Sequence, residues 1–100
     1  MSPLATKAEI IQTLREQLPV LRQRFGVRSL SLFGSRVRGD ARPDSDLDLL
    51  VDFTETPSLL RFVELEYYLS DLLSLRVDLV MAEALKPRSV RQILAEREPV

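Results

Sequence analysis

The sequence predicts an α+β fold, a small mixed sheet of about three strands packed on helices. Three observations predict it. Short runs of apolar and β-branched residues alternate with longer stretches of helical periodicity. Turn-forming glycine, proline and serine fall between them. At 100 residues the chain makes one domain, spanning 1–100, with room for a single modest core.

Taken in order, Ile10, Ile11, Leu14 and Leu18 fall at helical spacing, which predicts a helix from about Thr6 to Gln17. Pro19 interrupts it. Proline suits a first helical turn, so a second short helix is expected from Pro19 to Phe25, closed by Gly26. Residues 27–33 (VRSLSLF) then read as a strand. Gly34-Ser35 turns out of it, and residues 36–39 are expected to form a short helix. Residues 40–45, with Pro43 and Asp44, read as loop. Residues 47–53 (LDLLVDF) form a second strand and residues 54–58 a turn. Leu59 to Leu73 carries apolar residues along a broad face and reads as a long helix. Residues 75–81 (LRVDLVM) make a third strand. Residues 83–97 make a terminal helix, interrupted early by Pro87. The predicted order is α-α-β-β-α-β-α, with helices covering one side of the sheet.

Composition narrows the chemistry. There is no histidine and no cysteine. That removes thiolate nucleophiles, Ser-His triads, zinc–imidazole sites and disulfides, and fits a reducing, cytoplasmic setting. Any metal must be held by oxygen, so magnesium, manganese or calcium is expected. A net charge of -1 supplies no basic field for direct nucleic-acid binding. No apolar run is long enough for a membrane span, and no signal peptide is read at the N-terminus.

One constellation stands out: Gly34-Ser35, ten residues, then Asp46-Leu47-Asp48. A glycine after a strand can take positive φ and lets a ligand approach the backbone. If Ser35 opens a helical turn, its N–H and those following converge on one point, an anion site suited to nucleotide phosphates. Arg36 and Arg38 can add charge there. Taken alone, Gly34-Ser35 also reads as an ordinary turn and helix cap. Asp46 and Asp48, at i and i+2, share one face of a strand. Two adjacent carboxylates repel unless a cation or solvent relieves them. A bare pair of this kind also reads as a solvated strand start. Asp78 is the third carboxylate, set in the otherwise apolar run Val77, Leu79, Val80. If the third strand neighbours the second, the trio could hold two magnesium ions, with Asp78 able to accept a proton from an attacking hydroxyl. Otherwise Asp78 is an edge aspartate paired with Arg76 or another arginine.

Asp44, Asp46, Asp48 and Glu55 occupy positions 1, 3, 5 and 12 of an EF-hand-like loop, but position 6, which needs glycine, is Leu49. That motif is rejected. Tyr67 and Tyr68 read as helix-surface and half-core residues, and Arg88, Arg91 and Arg97 as a solvated face. Asp40, Asp44 and Asp52 read as solvated, Asp52 sharing the Asp48 face further along the strand.

Joined, residues 33–36 (FGSR), 46–48 (DLD) and 77–80 (VDLV) resemble the nucleotidyltransferases of the DNA polymerase β superfamily, specifically the minimal, MntA-like group. The resemblance covers roughly residues 10–95 and implies the polymerase-β-like nucleotidyltransferase fold. It implies that Gly34 and Ser35 bind nucleotide phosphates, with Arg36 and Arg38 at basic positions of the turn. Asp46, Asp48 and Asp78 become the metal-binding and catalytic set. One departure is the stretch Leu73-Ser74-Leu75-Arg76 before Val77, where relatives often carry a glycine in the turn. The resemblance further implies Mg2+, ATP as substrate, and a HEPN ribonuclease toxin as partner. AMP would pass to a tyrosine of that toxin, making the chain its antitoxin. Assembly with the toxin or with further copies is left open. The alternatives are an antitoxin that neutralises by binding alone, and a transferase for a small molecule or RNA. No residue is assigned to recognition of the base.

Overall fold

The computed structural model describes residues 6–34 and 46–100. Helix α1 runs Lys7–Phe25. The Thr6 hydroxyl caps it, accepting from the Glu9 N–H at 3.1 Å, and the Glu9 carboxylate accepts in return from that hydroxyl at 3.2 Å. Gly26 ends it at φ 70°, its N–H donating to the Arg22 carbonyl at 3.2 Å. The expected break at Pro19 does not occur: one helix of 19 residues replaces the two predicted. The reason lies in the core. Ile10, Leu14, Leu21 and Phe25 form one buried stripe that stays in phase across Pro19, and Pro19 itself is exposed. Tertiary packing on both sides holds the helix through the missing hydrogen bond.

The sheet has four strands in the order β3-β2-β1-β4, one more than expected. Strands β1 (Val27–Phe33) and β2 (Leu47–Phe53) pair antiparallel, with Leu30 opposite Val51 and Leu32 opposite Leu49. Helix α2 (Leu59–Leu73) carries the chain across to β3 (Val77–Met81), which lies parallel to β2. A 3-10 turn at Ala82–Ala84 and helix α3 (Pro87–Glu96) follow. The added strand, β4 (Glu98–Pro99), pairs antiparallel with β1 through Ser31–Pro99 and Leu32–Glu98. Two residues containing a proline carry no alternation from which a strand could be read.

The sheet's two faces differ. Leu30, Leu32, Leu47, Leu49 and Val51 are buried against α1 and against Leu65, Leu69 and Leu73 of α2. The helices are tied by Tyr68, whose hydroxyl donates to Gln17 Oε1 at 2.7 Å and whose ring lies 5.6 Å from that of Phe25. The β3 edge is closed by α2 side chains. Ser70 Oγ accepts from the Val77 N–H at 3.1 Å, and Glu66 Oε2 from the Leu79 N–H at 3.3 Å. The opposite face carries Ser29, Ser31 and Phe33 of β1, Asp48, Leu50 and Asp52 of β2, and Asp78 and Val80 of β3. The 3-10 turn and α3 border that face at the end away from the β1–β2 connection.

Candidate functional site

The carboxylates meet at one end of this second face. Phe33, the last residue of β1, stands opposite Asp48, and Asp48 stands opposite Asp78 in the parallel register of β2 and β3. One rung of the sheet therefore aligns the end of β1 with two carboxylates on adjacent strands, which lie about 4.8 Å apart. Asp48 is half-buried and Asp78 exposed. Apolar residues flank each of them on the buried face, so the alternation that drives Leu47, Leu49, Val77 and Leu79 inward turns both aspartates outward.

Asp46 immediately precedes β2. It stands beside Arg76, the residue preceding β3, and the two strands are tied there by the Leu47 N–H donating to the Arg76 carbonyl at 2.8 Å. Arg76 Nε lies 3.9 Å from Asp46 Oδ1. At 85% exposure of the Arg76 side chain this is a loose, solvent-screened pair. Arg76 is thus placed with Asp46, and the alternative pairing of Asp78 with Arg76 is not what the register produces.

Gly34 follows β1 and arches over Asp48. It is buried, with φ of 82°. A Cβ at this position would overlap the Asp48 carboxylate oxygen and lie 3.0 Å from its Cγ. Glycine is therefore required twice, by the left-handed backbone and by the carboxylate packed against it. Sequence reasoning found the first reason; the second depends on the register that brings residue 48 beneath residue 34. Ser35, Arg36, Arg38 and the expected short helix of residues 36–39 lie outside the described residues.

Among the described residues, no group of three acidic side chains is gathered closely enough to hold a metal ion by itself. The donor set nonetheless suits magnesium. It is all oxygen, and Mg2+ takes one or two protein carboxylates and completes its shell with water and substrate phosphates. Asp48 and Asp78, opposite one another on an open face, with Asp46 one step away, supply that number.

Sequence reasoning also missed a pocket on this face, two rungs along from the carboxylates, in which the buried Ser31 and Leu50 meet residues of α3. The signal was present in the alternation that puts residues 48, 50 and 52 on one side of β2. What covers that side comes from the C-terminal segment, whose packing no local pattern announces.

A two-helix layer on a four-stranded mixed sheet, with carboxylates on the central strand β2 and the neighbouring edge strand β3 and a glycine turn over one of them, is the arrangement of a nucleotidyltransferase. The family model for the nucleotidyltransferase domain matches residues 14–100, and the chain belongs to that family. Protein adenylyltransferase MntA of Thermococcus cleftensis is 54% identical over 93 residues, covering 93% of this chain and 94% of that protein. A solved structure described as a minimal nucleotidyltransferase superposes with a TM-score of 0.75 at 44% identity, over 90% of this chain and 95% of the other. A toxin–antitoxin structure with AMP-PNP superposes with a TM-score of 0.70 at 25% identity, over 95% of this chain and 72% of the other. The resemblance read from the motifs is borne out at the level of the family and the fold. Among the described residues, no helix is long and apolar enough to cross a membrane.

Proposed function

We propose that this chain transfers AMP from ATP to a hydroxyl of a partner protein, a tyrosine of a HEPN-type toxin, and acts as the antitoxin of that pair. The observation that carries the reading is the rung Phe33–Asp48–Asp78 with Gly34 closed over Asp48. It sets two carboxylates on an open face beside a turn suited to phosphates. Support for AMP as the group comes from the adenylyltransferase relative, and support for the toxin from the toxin–antitoxin structure of the same fold.

The residues divide the work as follows. Gly34 and Ser35 seat the phosphates, with Arg36 and Arg38 adding positive charge. Asp46, Asp48 and Asp78 would hold magnesium, as two ions. When bound, it neutralises the charge that develops on the triphosphate. The acceptor oxygen forms a bond to the α-phosphorus while the bond from that phosphorus to the α–β bridging oxygen breaks. Pyrophosphate leaves, and Asp78 takes the proton of the acceptor hydroxyl. Asp78 suits that role because it is exposed, at the open side of the rung, where an incoming protein side chain can reach it.

The test is the intact mass of the partner toxin after incubation with this chain, ATP and magnesium. A gain of one or more AMP units, absent with Asp46→Asn/Asp48→Asn, is expected. A tight complex with no mass gain would replace this reading with neutralisation by binding. Neither a gain nor a complex would redirect the search to small-molecule and RNA acceptors.

A further inference from the structure

The pocket beside the carboxylates has about 240 Å³ of space and lies between the sheet and the C-terminal segment. Its floor is Ser31 and Leu50, and its far wall is Ala82, Leu85 and Leu94, with Asp52 at the next rung of β2. It is smaller than the roughly 300–1,000 Å³ that holds a drug-sized ligand, so it fits one ring system rather than a peptide segment. Ser31 is the telling residue. It is only 4% exposed and lines the pocket, and its hydroxyl has no hydrogen-bond partner among the described residues. A buried hydroxyl is almost always paired, and leaving one unpaired costs free energy that a ligand would restore.

The position is equally specific. Leu50 and Asp52 follow Asp48 along the same face of β2, at about 7 and 13 Å by the rise of a strand. A group anchored by its phosphates at the Gly34 turn and extended along this face brings whatever follows the sugar to Ser31. We propose that this pocket seats the adenine ring of the donor nucleotide, held between Leu50 and Leu94, with the Ser31 hydroxyl bonding to the ring's polar edge and Asp52, whose Oδ2 already accepts from Arg28 at 3.4 Å, offering its second oxygen to the ring's amino group. A hydroxyl both donates and accepts, matching a ring edge that offers both, and a carboxylate accepts from an amino group. The proposal rests on the AMP-transfer reading above and adds to it the residues that choose the base.

The test compares two ligands in magnesium buffer by calorimetry: AMP-PNP, and inorganic tripolyphosphate, which has the phosphates without the nucleoside. Ser31→Leu fills the pocket from the sheet. Leu94→Trp fills it from the exposed side of α3, where the side chain is 46% exposed and a larger residue leaves the core untouched. Thermal melts establish which variant is folded, and Leu94→Trp decides if Ser31→Leu is not. The expected result is a loss of about tenfold or more in AMP-PNP affinity with tripolyphosphate affinity unchanged. AMP-PNP binding that survives in a folded variant would overturn the proposal. So would equal loss of both ligands, or toxin affinity lost while AMP-PNP affinity stays, which would make the pocket an acceptor site. A wild-type chain that binds neither ligand would instead overturn the nucleotidyl-transfer reading itself.

Discussion

Gly34 and Asp48 are packed so closely that no side chain fits between the Gly34 backbone and the Asp48 carboxylate. The contact joins the two halves of the motif through space. The Gly34 backbone and the Asp48 carboxylate thereby fix one another's position. On the reading proposed above, a ligand held at Gly34 would lie against the carboxylate rung, which is the positioning that group transfer needs.

Two glycine substitutions separate this contact from backbone strain. Gly26 and Gly34 both hold positive φ, at 70° and 82°. At Gly26 a Cβ would meet only Thr54 Oγ1, at an ordinary 3.5 Å. Gly26→Ala should therefore cost about 1 kcal/mol of stability and leave AMP transfer intact. Gly34→Ala should cost about 2 kcal/mol or more and abolish transfer, because Asp48 must move. Urea melts paired with transfer assays check both; equal effects of the two variants on transfer would contradict the account.

Asp78→Asn should uncouple stability from activity. Asp48 and Asp78 stand opposite one another as like charges, so neutralising the exposed partner should leave stability unchanged or raise it by up to about 1 kcal/mol, with the melting temperature following. Transfer should fall about 10²–10⁴-fold through loss of the proton acceptor. Calorimetric melts in metal-free buffer and toxin-modification rates measure the two sides. A clear drop in melting temperature would show that Asp78 is structural.

Pro19→Ala should stabilise the chain. Pro19 interrupts the hydrogen bonding of α1 yet is exposed, so its removal opens no cavity. Restoring the N–H should add about 1–2 kcal/mol, less than the full helix-interior penalty because proline also restricts the unfolded chain. The check is the urea midpoint at unchanged slope.

Ser74→Gly should also stabilise, by about 0.5–1 kcal/mol. Ser74 ends α2 at φ 53°, its N–H donating to the Ser70 carbonyl, and it is exposed. Glycine removes the left-handed penalty but adds unfolded-state entropy, leaving a small net gain. A melting temperature below that of wild type would show that the Ser74 side chain contributes something its exposure does not suggest.

Much of this protein is legible locally. The bounds of β1, β2 and α2 follow from alternation and from helical periodicity, because each of those elements buries one face on the same core. The single helix through Pro19 was not legible: the residues around proline argue for a break, and only the common sheet beneath Leu14 and Leu21 overrides them. Strand β4 was not legible either, since two residues hold no period.

By itself the sequence determined which chemistry this chain can carry. Its lack of histidine and cysteine leaves oxygen ligands alone, and the spacing of Gly34, Asp46, Asp48 and Asp78 names the candidates. Tertiary structure decided their relations. Parallel pairing of β2 with β3 set Asp78 opposite Asp48 and Arg76 beside Asp46. The antiparallel return of β1 laid Gly34 on the Asp48 carboxylate. The C-terminal segment then enclosed Ser31. Residue types and alternation are written along the chain, but register and coverage arise only when distant segments share one core.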